Sequence, residues 1–192
     1  MNIKLIYKPI ETDKSFLYIY SYDNFELIDN CINEIKDKLN KSLKREVGFF
    51  SDEYDGVYKY GEHYVLTKSQ KLTPSLKILL DEFNNHFETD FNGILINRYE
   101  NGNNYIGKHS DSKNHPDICV MIISYGSNRT FRVFKKSNDK LVAELSLNPY
   151  EVLHMGGDFQ LEFTHDIKPE PEIKTERYSI SFHKYMEAGK YS

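Results

Sequence analysis

The stretch Arg177-Tyr178-Ser179-Ile180-Ser181-Phe182-His183 alternates polar with apolar side chains. Successive residues of an extended strand point to opposite faces. Arg177, Ser179, Ser181 and His183 therefore share one face, and Tyr178, Ile180 and Phe182 the other. With the apolar face packed on an outer layer, an arginine and a histidine point inward. An inward arginine needs an anion. A bound dicarboxylate is one candidate, and a partner among the 29 acidic side chains is the other.

Upstream of this strand the period-two pattern reaches back to Phe91. Strand-like runs fall at Gly93–Tyr99, Ile118–Tyr125, Thr130–Phe134, Leu141–Leu147, Glu151–Met155, Gln160–Thr164 and Arg177–Tyr185. Turn signals such as Asn101-Gly102-Asn103-Asn104 and Gly156-Gly157-Asp158 separate them. Many short antiparallel strands at this spacing predict a sandwich or jelly roll. The first half reads differently. Ile28, Cys31, Ile32, Ile35 and Leu39 follow one helical face, with Asp23 or Asn24 as the cap. Leu76, Leu79, Leu80, Phe83 and Phe87 follow another, with Thr73 as cap and Pro74 in the first turn. Between them Val47–Lys68, rich in Tyr, Phe and Gly, reads as hairpins or ordered loop. Helices in one half and strands in the other make the fold class α+β.

The chain has 192 residues, enough for one domain with a sizeable core. Its 39% apolar and 28% charged residues are those of a globular protein. Cys31 and Cys119 form no CxxC pair, which excludes a disulfide framework and a cysteine-based zinc site and predicts an intracellular, reducing compartment, cytoplasm or nucleus. No apolar run has the length of a membrane span and no secretory signal opens the chain, so no membrane partner is expected. A net charge of −4 argues against polyanion binding by the whole surface, though not by a local basic patch.

His109-Ser110-Asp111 places an imidazole and a carboxylate at i and i+2, on one side of an extended segment. His165, after the run Gln160–Thr164, can complete a three-ligand face. Two histidines and one carboxylate leave positions open on an octahedral ion, the arrangement by which non-haem Fe(II) holds a cosubstrate and dioxygen together. Zinc is a second reading, and a surface turn in which His and Asp bond each other is a third. Asn97 and Tyr99 share a face, where an amide and a phenol can hydrogen-bond a cosubstrate or form a satisfied core pair.

Taken in series, these motifs resemble the AlkB-like Fe(II)/2-oxoglutarate dioxygenases, in the flavour of the DNA-repair branch. Asn97-Arg98-Tyr99, Gly102 and Ile106-Gly107-Lys108-His109-Ser110-Asp111 resemble that family's signature. Ile122-Ile123-Ser124-Tyr125-Gly126 with Arg129 and Phe131 is similar to its next strand pair, and Met155–Gln160 with His165-Asp166-Ile167 to the segment carrying the last metal ligand. Arg177–Phe182 resembles the strand that closes the site. The resemblance covers about 92–185 and implies a double-stranded β-helix, or jelly roll. It divides the chain into 1–90, N-terminal helices and a substrate-recognition lid, and 91–192, the dioxygenase core, within one compact domain. It implies that His109, Asp111 and His165 bind Fe(II). Arg177, helped by the Tyr99 hydroxyl, would pair with the distal carboxylate of 2-oxoglutarate, and Asn97 would contact the carboxylate beside the keto group. The implied activity is oxidative dealkylation of N-alkylated nucleobases in DNA or RNA. Dioxygen is consumed, and succinate, carbon dioxide and an aldehyde are released.

Three positions depart from the family pattern. His183 stands where a second arginine near the metal-side carboxylate is usual, Lys113 where an acidic residue often faces the target base, and Lys168-Pro169-Glu170-Pro171-Glu172 where duplex-DNA repair members are often basic. In Tyr58-Lys59-Tyr60-Gly61, which aligns with the family's aromatic lid segment, Tyr60 and Tyr58 are the expected stacking rings, with His109 on the other side of the base. Hairpin packing is the alternative for these tyrosines. Two basic clusters are candidates to track phosphates: Lys41, Lys44 and Arg45, and the hairpin Arg129, Arg132, Lys135, Lys136 and Lys140, opposed only by Asp139. A solvated charged hairpin is the alternative. The expected partner is nucleic acid, met by a monomer. The rivals are the same chemistry on a protein or small molecule, and a jelly-roll binding module without turnover.

Overall fold

The computed structural model of the protein describes residues 2–42, 44–60, 64–111 and 119–185. Residues 3–22, where no element was expected, form a hairpin of β1 (Ile3–Glu11) and β2 (Ser15–Tyr22). Helix α1 (Phe25–Ile35) begins where the Asn24 side chain accepts from the Leu27 N–H. It stops at Ile35, short of Leu39. The segment expected as hairpins resolves into β3 (Asn40–Lys41), β4 (Glu46–Phe50), β5 (Val57–Tyr60) and β6 (Tyr64–Gln70). Helix α2 (Pro74–Phe87) is capped by Thr73, which accepts from the Leu76 N–H, with Pro74 in the first turn.

The second half is β7 (Gly93–Tyr99), β8 (Ile106–His109), β9 (Val120–Gly126), β10 (Arg129–Lys135), β11 (Lys140–Leu147), β12 (Glu151–Gly157), the single helical turn α3 (Phe159–Glu162), β13 (Phe163–Ile167) and β14 (Arg177–His183). One expectation changes here. Gln160 belongs to a helical turn, not a strand, and His165 sits inside β13 rather than after it. Gly157 at φ +63° turns the chain, and the Asp158 carbonyl accepts from the Leu161 and Glu162 N–H groups.

Two sheets face each other as a double-stranded β-helix. The larger runs β1-β2-β12-β9-β14-β7-β4-β6-β5, with β3 on β4; the smaller runs β11-β10-β13-β8. β14 pairs antiparallel with β7 on one side, Arg177 opposite Tyr99 and His183 opposite Gly93, and with β9 on the other. The outer face of the large sheet packs on the helices: Ile94, Ile96, Met121, Ile123, Ile180 and Phe182 meet Ile28, Cys31, Leu76, Leu79 and Phe83. Phe83 stacks on Phe182 with ring centroids 4.4 Å apart. Each such fully buried side chain contributes about 1.5–3 kcal/mol. Between the sheets Leu17, Ile19, Val120, Leu153 and Met155 meet Phe131, Val133, Leu147, Phe163 and Ile167. Burial on both faces leaves β14 one way to place Arg177, Ser179, Ser181 and His183: toward the interior.

Gly102 closes the end of the barrel. Its N–H donates to the Ile173 carbonyl at 2.8 Å and its carbonyl accepts from Glu170 N–H at 2.7 Å. A Cβ there would lie 1.6 Å from the Glu170 carbonyl oxygen, so only glycine lets the two loops touch.

Candidate active site

β13 and β8 are in register with His165 opposite His109, which brings the two imidazole centroids to 4.4 Å. Asp111 follows β8 by two residues. Its Oδ1 lies 3.7 Å from His109 Nε2 and its Oδ2 3.4 Å from His165 Nε2. One ligand atom from each of the three residues lies within 4.8 Å of the others. His109 Nδ1 faces the Gly107 carbonyl at 2.8 Å. A carbonyl only accepts, so Nδ1 carries the proton and the Nε2 lone pair is turned toward Asp111. Phe131 stacks on His165 at 5.2 Å and holds its ring.

Burial opposes charge on Asp111, yet His165 and His109 outweigh it and hold the carboxyl well below its usual range. Burial and the neighbouring His109 keep His165 below its ordinary value, hence neutral at pH 7. A carboxylate and an imidazole with a free lone pair are the forms a divalent cation takes up. Gln160, 2% exposed, steadies Asp111: its Oε1 accepts from the Asp111 N–H at 2.9 Å. The sequence reading missed Gln160 as a site residue, because a strand was expected there.

The inward row of β14 lines the same cavity as the three ligand-type residues, joined by Asn97 and Tyr99 of β7. Arg177 is 2% exposed. Its Nη2 donates to Ser124 Oγ at 2.9 Å, while Nε and Nη1 are buried without an acceptor. Burial pushes the guanidinium down to about 10, still charged at neutral pH. Among the described residues no acidic side chain fills the partner position considered from the sequence: a buried cation with two unfilled donors is a receptor for a carboxylate. Tyr99 lies beneath it, the guanidinium carbon 5.3 Å from the ring centre. His183 lines the cavity, and burial lowers it below the usual histidine value.

Arg45 requires a correction. It is 8% exposed and lines the cavity, with Nε donating to Asn97 Oδ1 at 2.6 Å, so it does not join the exposed Lys41 and Lys44 as a phosphate contact. Reading β4 as a strand would have revealed this, since Arg45, Val47 and Phe49 alternate inward.

The basic hairpin is corrected as well. Arg129 is buried, with Nε on Glu170 at 3.1 Å and Nη2 on the Asn104 and Lys168 carbonyls at 2.8 and 2.7 Å. Arg132 binds both oxygens of Asp166 at 2.9 and 2.6 Å, and Lys136 donates to the Gln160 carbonyl. Asp139, the one acid counted against the cluster, instead meets Lys108 at 2.6 Å. Lys135 and Lys140 are exposed. Glu170, expected to repel phosphate, points inward to Arg129 and Thr130. Tyr58 lines the cavity. The Tyr60 side chain and Lys113 lie outside the described residues.

Comparison with known proteins agrees with this geometry. The sequence model of the 2OG-Fe(II) oxygenase superfamily matches residues 31–188, most of the chain. The chain belongs to the 2OG-Fe(II) oxygenase superfamily. It is similar to the DNA oxidative demethylase ALKBH2 of Homo sapiens, 23% identical over 180 residues that cover 78% of this chain and 69% of that protein. It is also similar to the Mus musculus ALKBH2, 22% identical over 184 residues covering 80% and 77%. Among solved structures OsALKBH1 shares the fold, with a TM-score of 0.65 at 13% identity, covering 94% of this chain and all of that one. Members of this superfamily use Fe(II), 2-oxoglutarate and dioxygen. The His-Asp-His donor set suits that metal, and the unfilled donors of Arg177 suit that diacid. Among the described residues no helix is long and apolar enough to cross a membrane.

Proposed function

We propose that this oxygenase oxidatively dealkylates N-alkylated nucleobases in DNA or RNA, a repair activity in a reducing intracellular compartment. The observation that carries the reading is one cavity in which His109, Asp111 and His165 converge, Arg177 offers two unfilled donors, and the Tyr58 ring forms part of the lining. The likeness to proteins named DNA oxidative demethylase supports the substrate class.

His109, Asp111 and His165 are the ligands of Fe(II) in this reading. When bound, iron and 2-oxoglutarate would supply the activation of dioxygen, one atom of which goes to the alkyl carbon of the substrate and the other to the succinate left when the cosubstrate loses carbon dioxide. The chain's own share is placement. Arg177 and Tyr99 hold the distal carboxylate, Asn97 the carboxylate beside the keto group, and His183 stands near the metal-side end. Gln160 keeps Asp111 aimed inward. Tyr58 and Tyr60 stack on the extruded base opposite His109, while Lys41, Lys44, Lys135 and Lys140 follow the phosphates. The engagement of Arg129, Arg132 and Lys136 with the protein itself favours a second reading, the same chemistry on a protein or small molecule.

Turnover on 1-methyladenine, 3-methylcytosine and etheno-adducts, in single- and double-stranded DNA and in RNA, tests the proposal. Aldehyde should appear with at least one substrate and vanish in Asp111→Ala. Succinate formation from 2-oxoglutarate without aldehyde from any nucleic acid would move the assignment to the second reading.

A further inference from the structure

The cavity contains two guanidinium groups, and only Arg177 has a role so far. The other belongs to Arg45, which immediately precedes β4. In that ladder Glu46 lies opposite Arg98 and Val47 opposite Asn97, so Arg45 and Val47 share the inward face. The Ser42 N–H donates to the Arg45 carbonyl at 2.9 Å and anchors its backbone. The side chain is almost fully buried, and its Nε reaches Asn97 Oδ1 at 2.6 Å.

That bond has a chemical consequence. A guanidinium N–H can only donate, so it selects one orientation of the Asn97 amide, with Oδ1 toward Arg45. Asn97 Nδ2 then points the other way and donates to Ser179 Oγ at 3.3 Å. The amide nitrogen carries two protons and this bond uses one. With its oxygen engaged, Asn97 can offer a ligand a donor and not an acceptor. A carboxylate has only acceptors, so this is the orientation that a diacid requires. In the opposite orientation the amide oxygen would face the carboxylate and repel it, so a ligand meeting an unfixed amide would have to turn it first.

We propose that Arg45 is a positioning residue for the cosubstrate: it locks Asn97 as an N–H donor toward a 2-oxoglutarate carboxylate. This rests on the assignment of Asn97 to the cosubstrate proposed above. Arg45 acts through Asn97, from a strand outside the β7–β14 pair, and its function is to fix polarity rather than to touch the reacting atoms.

Equilibrium binding of 2-oxoglutarate to the full chain loaded with Mn(II), measured by calorimetry, tests this without turnover. Arg45→Met should raise Kd about tenfold, the value of one charge-assisted hydrogen bond. Arg45→Lys, which still donates to Oδ1, should restore Kd to within about threefold of the wild type. Asn97→Ala separates the two ideas. If it weakens binding while Arg45→Met leaves Kd unchanged, the positioning role falls and the Asn97 assignment stands. If Asn97→Ala binds as tightly as the wild type, the assignment itself falls. Asn97→Asp covers the case in which Arg45→Met fails to fold. An aspartate keeps the acceptor for Arg45 but loses the donor, so the variant should melt no lower than the wild type and lose 2-oxoglutarate binding by about 100-fold. A melting temperature lowered by several degrees would show a carboxylate buried without its cation, and would overturn the inference.

Discussion

Arg129 and Arg177 flank the same tyrosine. The Arg129 guanidinium carbon lies 5.6 Å from the Tyr99 ring centre and that of Arg177 5.3 Å. Both arginines are fully buried. They differ in what surrounds them. Arg129 has Glu170 at Nε, the Asn101 carbonyl at Nη1 and the Asn104 and Lys168 carbonyls at Nη2. Arg177 has Ser124, the Tyr99 ring and, among the described residues, no acceptor for Nε or Nη1. Charge and burial alone would make the pair equivalent. Satisfaction of the hydrogen bonds separates a residue that fastens the loops from one that waits for a ligand.

Substitutions tell the two arginines apart. The largest effect is expected of Arg129→Met, which strands Glu170 and several carbonyls: a loss of about 3–5 kcal/mol in urea unfolding, with 2-oxoglutarate affinity changed less than about threefold. Arg177→Met should do the reverse. Kd for 2-oxoglutarate rises about 100-fold, while the melting temperature of the ligand-free protein stays equal or rises, because an unpaired buried charge is gone. A melting temperature that falls as far as that of Arg129→Met would erase the distinction. Glu170→Gln probes the satisfied side from the other partner and should cost about 1–3 kcal/mol at neutral pH. Burial raises the Glu170 carboxyl, but its bonds from Thr130 and Arg129 prevail and hold it below the usual range. A lowered carboxyl gives stability that is present above the ordinary carboxylate range and lost as pH falls through the lowered value. The gap between wild type and Glu170→Gln in urea titrations should therefore narrow in acid. The smallest effect belongs to Ser124→Ala, which removes the hydroxyl that accepts from Arg177 Nη2: about three- to fivefold in Kd.

These two arginines also mark the limit of what the sequence discloses. Strict alternation made β14 legible, and with it the inward row from Arg177 to His183, while β7 showed as a short run closed by the Asn101-Gly102-Asn103-Asn104 turn signal. The helices were legible from spacing and caps at Asn24 and Thr73. His109 and Asp111 stood out because two ligand types recur at the strand period. Arg129, by contrast, sits among lysines in a hairpin, and its true partner Glu170 lies in a Pro-Glu-Pro-Glu run that looks solvated. Nothing local signals that Gly102 lets that run fold back over the barrel end. Arg45 was hidden in the same way, next to Lys44. In β2, Ser15–Tyr22, aromatic and aliphatic residues occupy both faces, so the alternation that reveals a half-exposed strand is absent. Gln160 was hidden because a four-residue helical turn has no periodicity to detect.

The position of β14 in the large sheet bears on how the protein is made. It lies between β9 and β7, yet it follows both in the chain. As the polypeptide leaves the ribosome, those two strands have bare edges facing a gap that their own neighbours cannot fill. The sheet closes only when residues 177–183 emerge, so a messenger truncated just before them yields a chain with two sticky seams and no lock between them. The segment that carries the anion receptor is thus also the keystone, and synthesis that stalls upstream of it should send the product to chaperones or aggregates rather than to a weakened enzyme.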